Sequence, residues 1–136
     1  MNINTVYNIL SKKYENYNKN ENVIHEFKKK FTLEERKKKC ADIKKKYPNR
    51  IPIICGVSPE LPKLRNYKFL VNEDDCYTNF LFCLRKSMKI SKEKAIYLFI
   101  GNKLLATSIL LKDAYYNYRD EDGFLYTYIC SENTFG

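Results

Sequence analysis

The side chains best suited to metal or nucleophilic chemistry are five cysteines and one histidine, and their spacing argues against both kinds of site. The cysteines include no Cys-x-x-Cys pair, and His25 is the only imidazole, so no recognisable zinc-ligand spacing is present. A cysteine nucleophile paired with His25 is a weak alternative, because this histidine lies in a polar N-terminal stretch. We therefore expect no metal site and no cofactor held by these side chains. We predict reduced, mostly buried thiols at Cys40, Cys55, Cys76, Cys83 and Cys130.

A second chemical feature is the backbone carboxylate of Gly136, which follows the segment "GFLYTYICSENTF". Glycine makes up about 7% of residues in proteins, so an incidental terminal glycine is the simpler interpretation. The other interpretation, that a chain end without a side chain has a chemical use, needs support from the rest of the sequence. The glycine alone leaves both interpretations open.

The positive charge is concentrated in the first third of the chain. The formal net charge is +9, and residues 1–50 hold 14 of the 25 Lys and Arg residues but 6 of the 16 acidic ones. Three lysine triplets, 28–30, 37–39 and 44–46, are typical of a solvated helix face, and they could also meet anionic lipid or an acidic peptide. We expect no nucleic acid partner, because the triplets lack interleaved aromatic residues and no helix-turn-helix pattern is visible.

Length and hydropathy predict one domain without a transmembrane segment. A chain of 136 residues can build a single core. The longest apolar run, residues 95–100, is too short to cross a bilayer, and no signal peptide opens the sequence. We expect a cytosolic protein in which residues 1–22 form a flexible or part-helical extension and residues 23–136 form the domain.

The front of the domain reads as two helices. The first is predicted over residues 23–30, and Thr32 is expected to cap the second, with Glu34 and Glu35 at its positive end. Pro48 should end this second helix. Its buried stripe is predicted to contain Leu33, Cys40, Ile43 and Tyr47.

The remainder alternates strands and helices. Segments 50–56 and 67–72 are predicted as an antiparallel strand pair, with Pro52 at an edge or where no ladder hydrogen bond is needed. Asp74 and Asp75 are expected to open a helix, and residues 95–101 and 124–130 to form two further strands around a short helix. This order predicts an α+β fold, of which a β-grasp is the simplest closure. The predicted helix stripes are Tyr77, Phe80, Leu81, Leu84 and Met88, and Leu111, Ala114, Tyr115 and Tyr118.

Five segments occur in an order and spacing that is similar to a known family. They are "KKKYPNRIPIIC", "KFLV", "FLFCLRK", "AIYLFIGNKLL" and "DEDGFLY…TFG". Over about residues 24–136 the chain resembles the ubiquitin-like modifiers of autophagy, the GABA-receptor-associated protein and microtubule light-chain group. The most specific match is Tyr-Pro-x-Arg-x-Pro (Tyr47, Pro48, Arg50, Pro52) together with the terminal aromatic-Gly. The resemblance implies a ubiquitin-like β-grasp with two extra N-terminal helices.

The resemblance also implies a role for Gly136. In this family a C-terminal glycine is activated as a thioester, passed to a conjugating enzyme and joined to phosphatidylethanolamine. A cysteine protease removes any residues beyond that glycine or deconjugates the lipid. The chain would then be a lipoprotein scaffold in autophagy, a substrate and not an enzyme, located in the cytoplasm and on autophagosomal membranes. Two alternatives stay open: a modifier joined to a protein, and an unconjugated peptide-binding adaptor.

Finally, the resemblance implies a docking surface for aromatic-x-x-aliphatic segments of partner proteins. Such a segment would add a strand to the edge strand 68–71 and place two side chains in pockets. Lys46 and Arg50 would meet acidic residues that precede the motif. Lys39, Asn72 and Asp75 depart from the family pattern. The aromatic pocket maps to Ile43, Pro52, Lys68, Leu70 and Phe124, and the aliphatic pocket to Phe69, Val71, Phe80, Cys83 and Leu84.

Overall fold

A five-stranded mixed sheet with helices on both faces forms the centre of the fold. The computed structural model describes Lys12 and residues 22–101 and 103–131. The strand order is β2-β1-β5-β3-β4, in which β1 and β5 run parallel and the other neighbours antiparallel. This topology confirms the predicted α+β β-grasp. In chain order the described elements are α1 (Val23–Lys30), α2 (Leu33–Lys46), β1 (Arg50–Val57), β2 (Lys68–Asn72), α3 (Tyr77–Ser87), β3 (Ile96–Ile100), β4 (Lys103–Leu104), α4 (Leu111–Tyr118) and β5 (Leu125–Ser131).

Local signals account for the two N-terminal helices. The side chain of Asn22 accepts hydrogen bonds from two backbone N–H groups in the first turn of α1. Thr32 caps α2, as predicted, and it also forms a capping box with Glu35. Each helix carries a lysine triplet in its last turn, where positive charge complements the helix dipole.

The predicted buried stripe of α2 was wrong at one end. Tyr47 is 42% exposed, because α2 ends at Lys46 and the backbone of Tyr47 has left the helical conformation. Arg36 is buried instead, with its Nε atom 3.5 Å from a carboxylate oxygen of Asp122. Burial raises the pKa of Asp122, and the carboxylate accepts hydrogen bonds from Tyr126 and from the backbone of Phe124. This pair ties α2 to the turn before β5.

Pro52 lies in an interior strand, so the edge alternative for this residue was wrong. The N–H of Cys55 donates to the carbonyl of Tyr67 on the β2 side at 2.8 Å. Backbone N–H groups alternate along a strand, so the nitrogen of Pro52 faces the β5 side. Pairing with β5 begins only at Ile53. Pro52 therefore sits where no ladder hydrogen bond is needed, which was the other predicted alternative.

Residues of each central strand alternate between two apolar clusters. Ile53 belongs to the cluster under α3 and α4, and its neighbour Ile54 belongs to the cluster under α1 and α2. Leu98 and Phe99 are divided between the two clusters in the same way along β3.

Helix α3 begins at Tyr77, after the two aspartates that were expected to open it. None of the helices in the described ranges has the length and hydropathy to cross a bilayer.

Candidate functional site

Strand β2 offers an open edge for a further strand. In the described part of the chain it pairs only with β1 and ends the sheet. The N–H of Cys55 donates to the carbonyl of Tyr67, and the N–H of Glu73 donates to the carbonyl of Asn49. These two bonds show which residues of β2 direct their backbone groups toward β1 and which direct them away. By that alternation Phe69 and Val71 direct their backbone groups toward β1. The backbone groups of Lys68 and Leu70 and the N–H of Asn72 face outward, where an incoming segment can pair with them, while the carbonyl of Asn72 accepts from the N–H of Asp75.

A cavity of about 410 Å³ lies beside this edge, between β2, α2 and the start of β5. All five residues predicted for the aromatic pocket line it. The sequence prediction did not include four further lining residues, Phe27, Asp42, Ile53 and Ile54. The lining consists of Phe27, Lys39, Asp42, Ile43, Pro52, Ile53, Ile54, Lys68, Phe69, Leu70 and Phe124.

Packing against α1 fixes the apolar wall of this cavity. Phe27 is 2% exposed, and its ring meets that of Phe124 edge-on with 5.4 Å between the centroids. Such an arrangement is favourable for aromatic pairs and holds both rings in place. The spacing of Ile24 and Phe27, three residues apart on a helix, was the signal that would have predicted this wall.

The rim of the cavity is mainly cationic. The Nζ atom of Lys68 lies 5.5 Å from the ring centroids of both Phe27 and Tyr67. Lys39 places its Nζ 4.2 Å from the centroid of Phe31. Asp42 is the one carboxylate in the lining. An aromatic side chain inserted here would lie between apolar walls and two ammonium groups, which suits acidic residues next to it.

The predicted aliphatic pocket is only partly a surface feature. Phe69 and Val71 are half-buried on β2. The ring of Phe69 packs edge-on against that of Phe80, with 5.5 Å between the ring centroids. Leu84 is 0% exposed and Phe80 is buried, so both support the core and a peptide would not touch Leu84 in this conformation. Cys83 is exposed on α3. In this structure Leu84 belongs to the core, because α3 buries one face against the sheet, and its pocket role stays a prediction.

The remaining predicted residues surround the groove. Lys46 and Arg50 are exposed at either side of the turn between α2 and β1. From the last turn of α2, the Nζ of Lys44 donates to the carbonyls of Pro48 and Arg50, at 3.4 and 3.0 Å. Three cations are therefore gathered near the C-terminal end of α2, and their contact with acidic flanks stays a prediction.

Two departures from the family pattern lie at the end of β2 and just after it. Asn72 is exposed, and its side-chain oxygen accepts a hydrogen bond from the N–H of Asp74 at 2.9 Å. Asp75 is also exposed, while its carbonyl accepts from the N–H of Leu111. Their polar side chains stand at the downstream end of the groove, beyond Val71.

The thiols fit a structural role. Cys40, Cys55 and Cys130 are buried, Cys76 is half-buried and Cys83 is exposed, and these five cysteines form no disulfide. Burial raises the pKa of Cys40, and it raises that of Cys55 to about 12, so these thiols stay protonated at neutral pH. The described residues contain no group of metal-ligating side chains.

Comparison with known proteins identifies the family. The family model described as "Autophagy protein Atg8 ubiquitin like" matches residues 35–136. The chain belongs to the Atg8 family. It is therefore an autophagy ubiquitin-like modifier, as the resemblance predicted.

Relatives and solved structures agree on this assignment. The chain is 40% identical over 112 residues to autophagy-related protein 8 of Mycosarcoma maydis, covering 81% of this chain and 95% of that one. It is 41% identical to autophagy-related protein 8e of Arabidopsis thaliana, covering 81% and 92%. The crystal structure of Trypanosoma brucei ATG8 matches with a TM-score of 0.72 at 33% identity, covering 78% and 93%. Plasmodium falciparum Atg8 in complex with a P. falciparum Atg3 peptide matches with a TM-score of 0.70 at 33% identity, covering 78% and 95%.

Proposed function

We propose that this Atg8-family chain is conjugated through the carboxyl group of Gly136 to phosphatidylethanolamine and acts as a membrane-bound scaffold in autophagy. It recruits partners by adding their aromatic-x-x-aliphatic segments to strand β2. The observation that carries the docking part is the open β2 edge beside an apolar cavity with a cationic rim. Main-chain pairing supplies affinity in this mode, and the pockets supply specificity.

The conjugation part rests on the family assignment and on the sequence of the tail. Gly136 lies outside the described residues, five positions after Ser131, the last residue of β5. Ser131 is 0% exposed, so the residue from which the tail begins is fixed in the sheet. Five residues span at most about 17 Å, so an enzyme that acts on Gly136 must approach close to the end of β5. Its active site would admit a residue without a Cβ most easily.

The partners follow from the same assignment. The solved complex of Plasmodium falciparum Atg8 contains a peptide of Atg3, and we propose that an equivalent conjugating enzyme binds this chain. An activating enzyme, a deconjugating cysteine protease and motif-bearing receptors complete the set. The chain itself is a substrate with no catalytic role and binds no cofactor other than the covalent lipid. It acts in the cytoplasm and on autophagosomal membranes.

The docking proposal is tested with a labelled peptide that carries an acidic flank and an aromatic-x-x-aliphatic motif. Leu70→Ala removes a cavity side chain that is 36% exposed, so the fold should survive. We expect affinity to fall by more than about 1 kcal/mol, roughly fivefold or more. Leu110→Ala is the matched control, because Leu110 is also 36% exposed but lies outside this cavity. Equal affinity of the two folded variants would reject this pocket.

The conjugation proposal is tested by intact mass spectrometry of the membrane-bound form. A gain of one phospholipid on the C-terminal peptide supports it. A gain of one protein would instead establish the protein-linked modifier, and an unmodified C terminus would establish the adaptor. Gly136→Ala should slow or block the modification, whereas Leu110→Ala should leave it unchanged.

A further inference from the structure

The chain contains an aromatic-x-x-aliphatic sequence of its own, Tyr7-Asn8-Ile9-Leu10. It lies ahead of residues 35–136, which the family model matches, and outside the described residues. We propose that in the free protein this segment occupies the groove beside β2 of the same chain. The inference rests on the proposed function, since it assigns that docking surface an internal occupant.

The arrangement of the groove sets the direction of the segment. The aromatic cavity adjoins Lys68 and Leu70, and the residues predicted for the aliphatic anchor lie toward Val71. A segment with its aromatic residue first therefore runs parallel to β2. Tyr7 then enters the cavity, and Leu10 lies near Val71.

The start of α1 lies close enough to the groove for this contact. A second cavity, of about 450 Å³, is lined by Asn22 and Val23 together with Tyr67, the residue just before β2. The connection from Leu10 must thus return along β2 from about Val71 to Tyr67, four residues or roughly 13 Å. Twelve backbone steps join Leu10 to Asn22. They span about 40 Å when extended and about 18 Å when helical, as Lys12 is.

Charge makes this internal occupant a weak one. Residues 1–6 contain no acidic side chain, so Tyr7 brings nothing to pair with the ammonium groups of Lys39 and Lys68 at the cavity. The tether offsets this deficiency, because a short linker gives an effective concentration in the millimolar range. A partner with an acidic flank would displace the segment, and a partner without one would compete poorly. The extension thereby sets a threshold for partner binding.

The test compares three full-length chains. Tyr7→Ala/Leu10→Ala removes both anchors of the segment. Tyr14→Ala/Tyr17→Ala is the matched control, because it removes two tyrosines of the same extension that lack an aliphatic partner at the motif spacing. Because a tethered occupant competes at an effective concentration in the millimolar range, the anchor variant should bind the acidic-flanked peptide at least several-fold more tightly than wild type. The control should bind as wild type does.

A second readout needs no added peptide. The amide NMR signals of Lys68 and Leu70 should differ between the anchor variant and wild type and coincide between the control and wild type. Equal peptide affinity of all three chains, with coincident signals, overturns the inference while the docking proposal stands. Absence of peptide binding by all three rejects the docking surface, and the inference falls with it. Wild-type dimers that the anchor variant loses would place the segment in a second copy and overturn the same-chain contact.

Discussion

At the scale of single residues, the close contact between Cys40 on α2 and Gly123 in the turn before β5 restricts which side chains fit at these two positions. Gly123 has φ = +94°, and a Cβ built on it would lie 2.6 Å from Sγ of Cys40. The carbonyl of Gly123 also accepts a hydrogen bond from the Tyr115 hydroxyl at 2.7 Å. Cys40 and Gly123 are therefore mutually dependent: the thiol fills the space that a side chain at 123 would take.

Gly123→Ala should destabilise the fold by about 2–4 kcal/mol, through backbone strain and the clash with Cys40. Gly101→Ala is the matched control, since Gly101 has φ = +63° but its added Cβ would lie 3.7 Å from the nearest atom. It should cost only about 1–2 kcal/mol. Adding Cys40→Ala to Gly123→Ala should recover part of the difference. Urea unfolding measures all three, and equal costs for the two glycine variants would contradict the steric explanation.

A second residue-scale prediction concerns partner selection. Lys39 lines the aromatic cavity and Asp75 stands exposed beyond β2, so the native groove should favour acidic residues near the aromatic anchor and basic or polar ones near the aliphatic anchor. Lys39→Glu/Asp75→Leu should change the ranking of a peptide panel that varies these flanks, by about tenfold for the most acidic member. Fluorescence titration checks this, and an unchanged ranking would refute the charge argument.

The residues of the aromatic cavity were named through the resemblance to the family, by matching positions of this sequence to its pattern, and the structure places all five of them around one cavity. Phe27 was missed, although its spacing from Ile24 on a predicted helix signalled a buried face. Leu84 was assigned to a pocket surface because the amphipathic pattern of α3 cannot tell a core residue from one that lines a groove. Only the packing of α3 against the sheet decides between them.

At the scale of elements, strand β2 has two different sides. Phe69 and Val71 bond to β1, and Leu70 and Asn72 point their amides away from it. Its existence and antiparallel pairing were predictable from the alternating segment. The predicted β-grasp gave no sign of β4, because two residues are too few for a periodic pattern. Arg36 was missed as a buried residue, since its burial depends on Asp122, a residue far away in sequence.

Hydrogen exchange should report this two-sided character of β2. In the Tyr7→Ala/Leu10→Ala chain, where no internal segment competes, the amides of Leu70 and Asn72 should exchange quickly. Saturating peptide should slow them by tenfold or more, because they then donate to the added strand. The amides of Phe69 and Val71 should be protected with or without peptide. Residue-resolved NMR measures the rates, and uniform protection along β2 would contradict strand addition.

At the scale of the whole molecule, two forces could hold the protein on a membrane. The lysine triplets of α1 and α2 are nearly all exposed, and each lysine contributes about 1 kcal/mol near an anionic surface, which salt screens. Acyl chains contribute about 0.8 kcal/mol per buried CH₂, and two chains anchor stably. A diacyl lipid joined to Gly136, as proposed, should therefore outweigh the basic helices at physiological salt.

Deletion of Gly136 should abolish flotation with cell membranes at raised salt while leaving a folded, peptide-binding protein. The residue lies five positions beyond β5, so its loss removes no described contact. A charge-reduced control, Lys37→Gln/Lys38→Gln, should float as wild type does. If the deletion variant floats equally well, the proposed anchor is wrong.

The position of β5 has a mechanical consequence. The tail leaves from β5, β5 runs parallel to β1, and β1 carries the β2 edge where partners would dock. Tension between a lipid anchor and a bound cargo would thus pass across two adjacent ladders, from β5 through β1 to β2. Pulling along the strands loads the hydrogen bonds of each ladder in shear, all together, whereas peeling would break them one at a time. With the proposed lipid on Gly136 and a partner on β2, the sheet would couple the membrane to that partner through ladders loaded in shear.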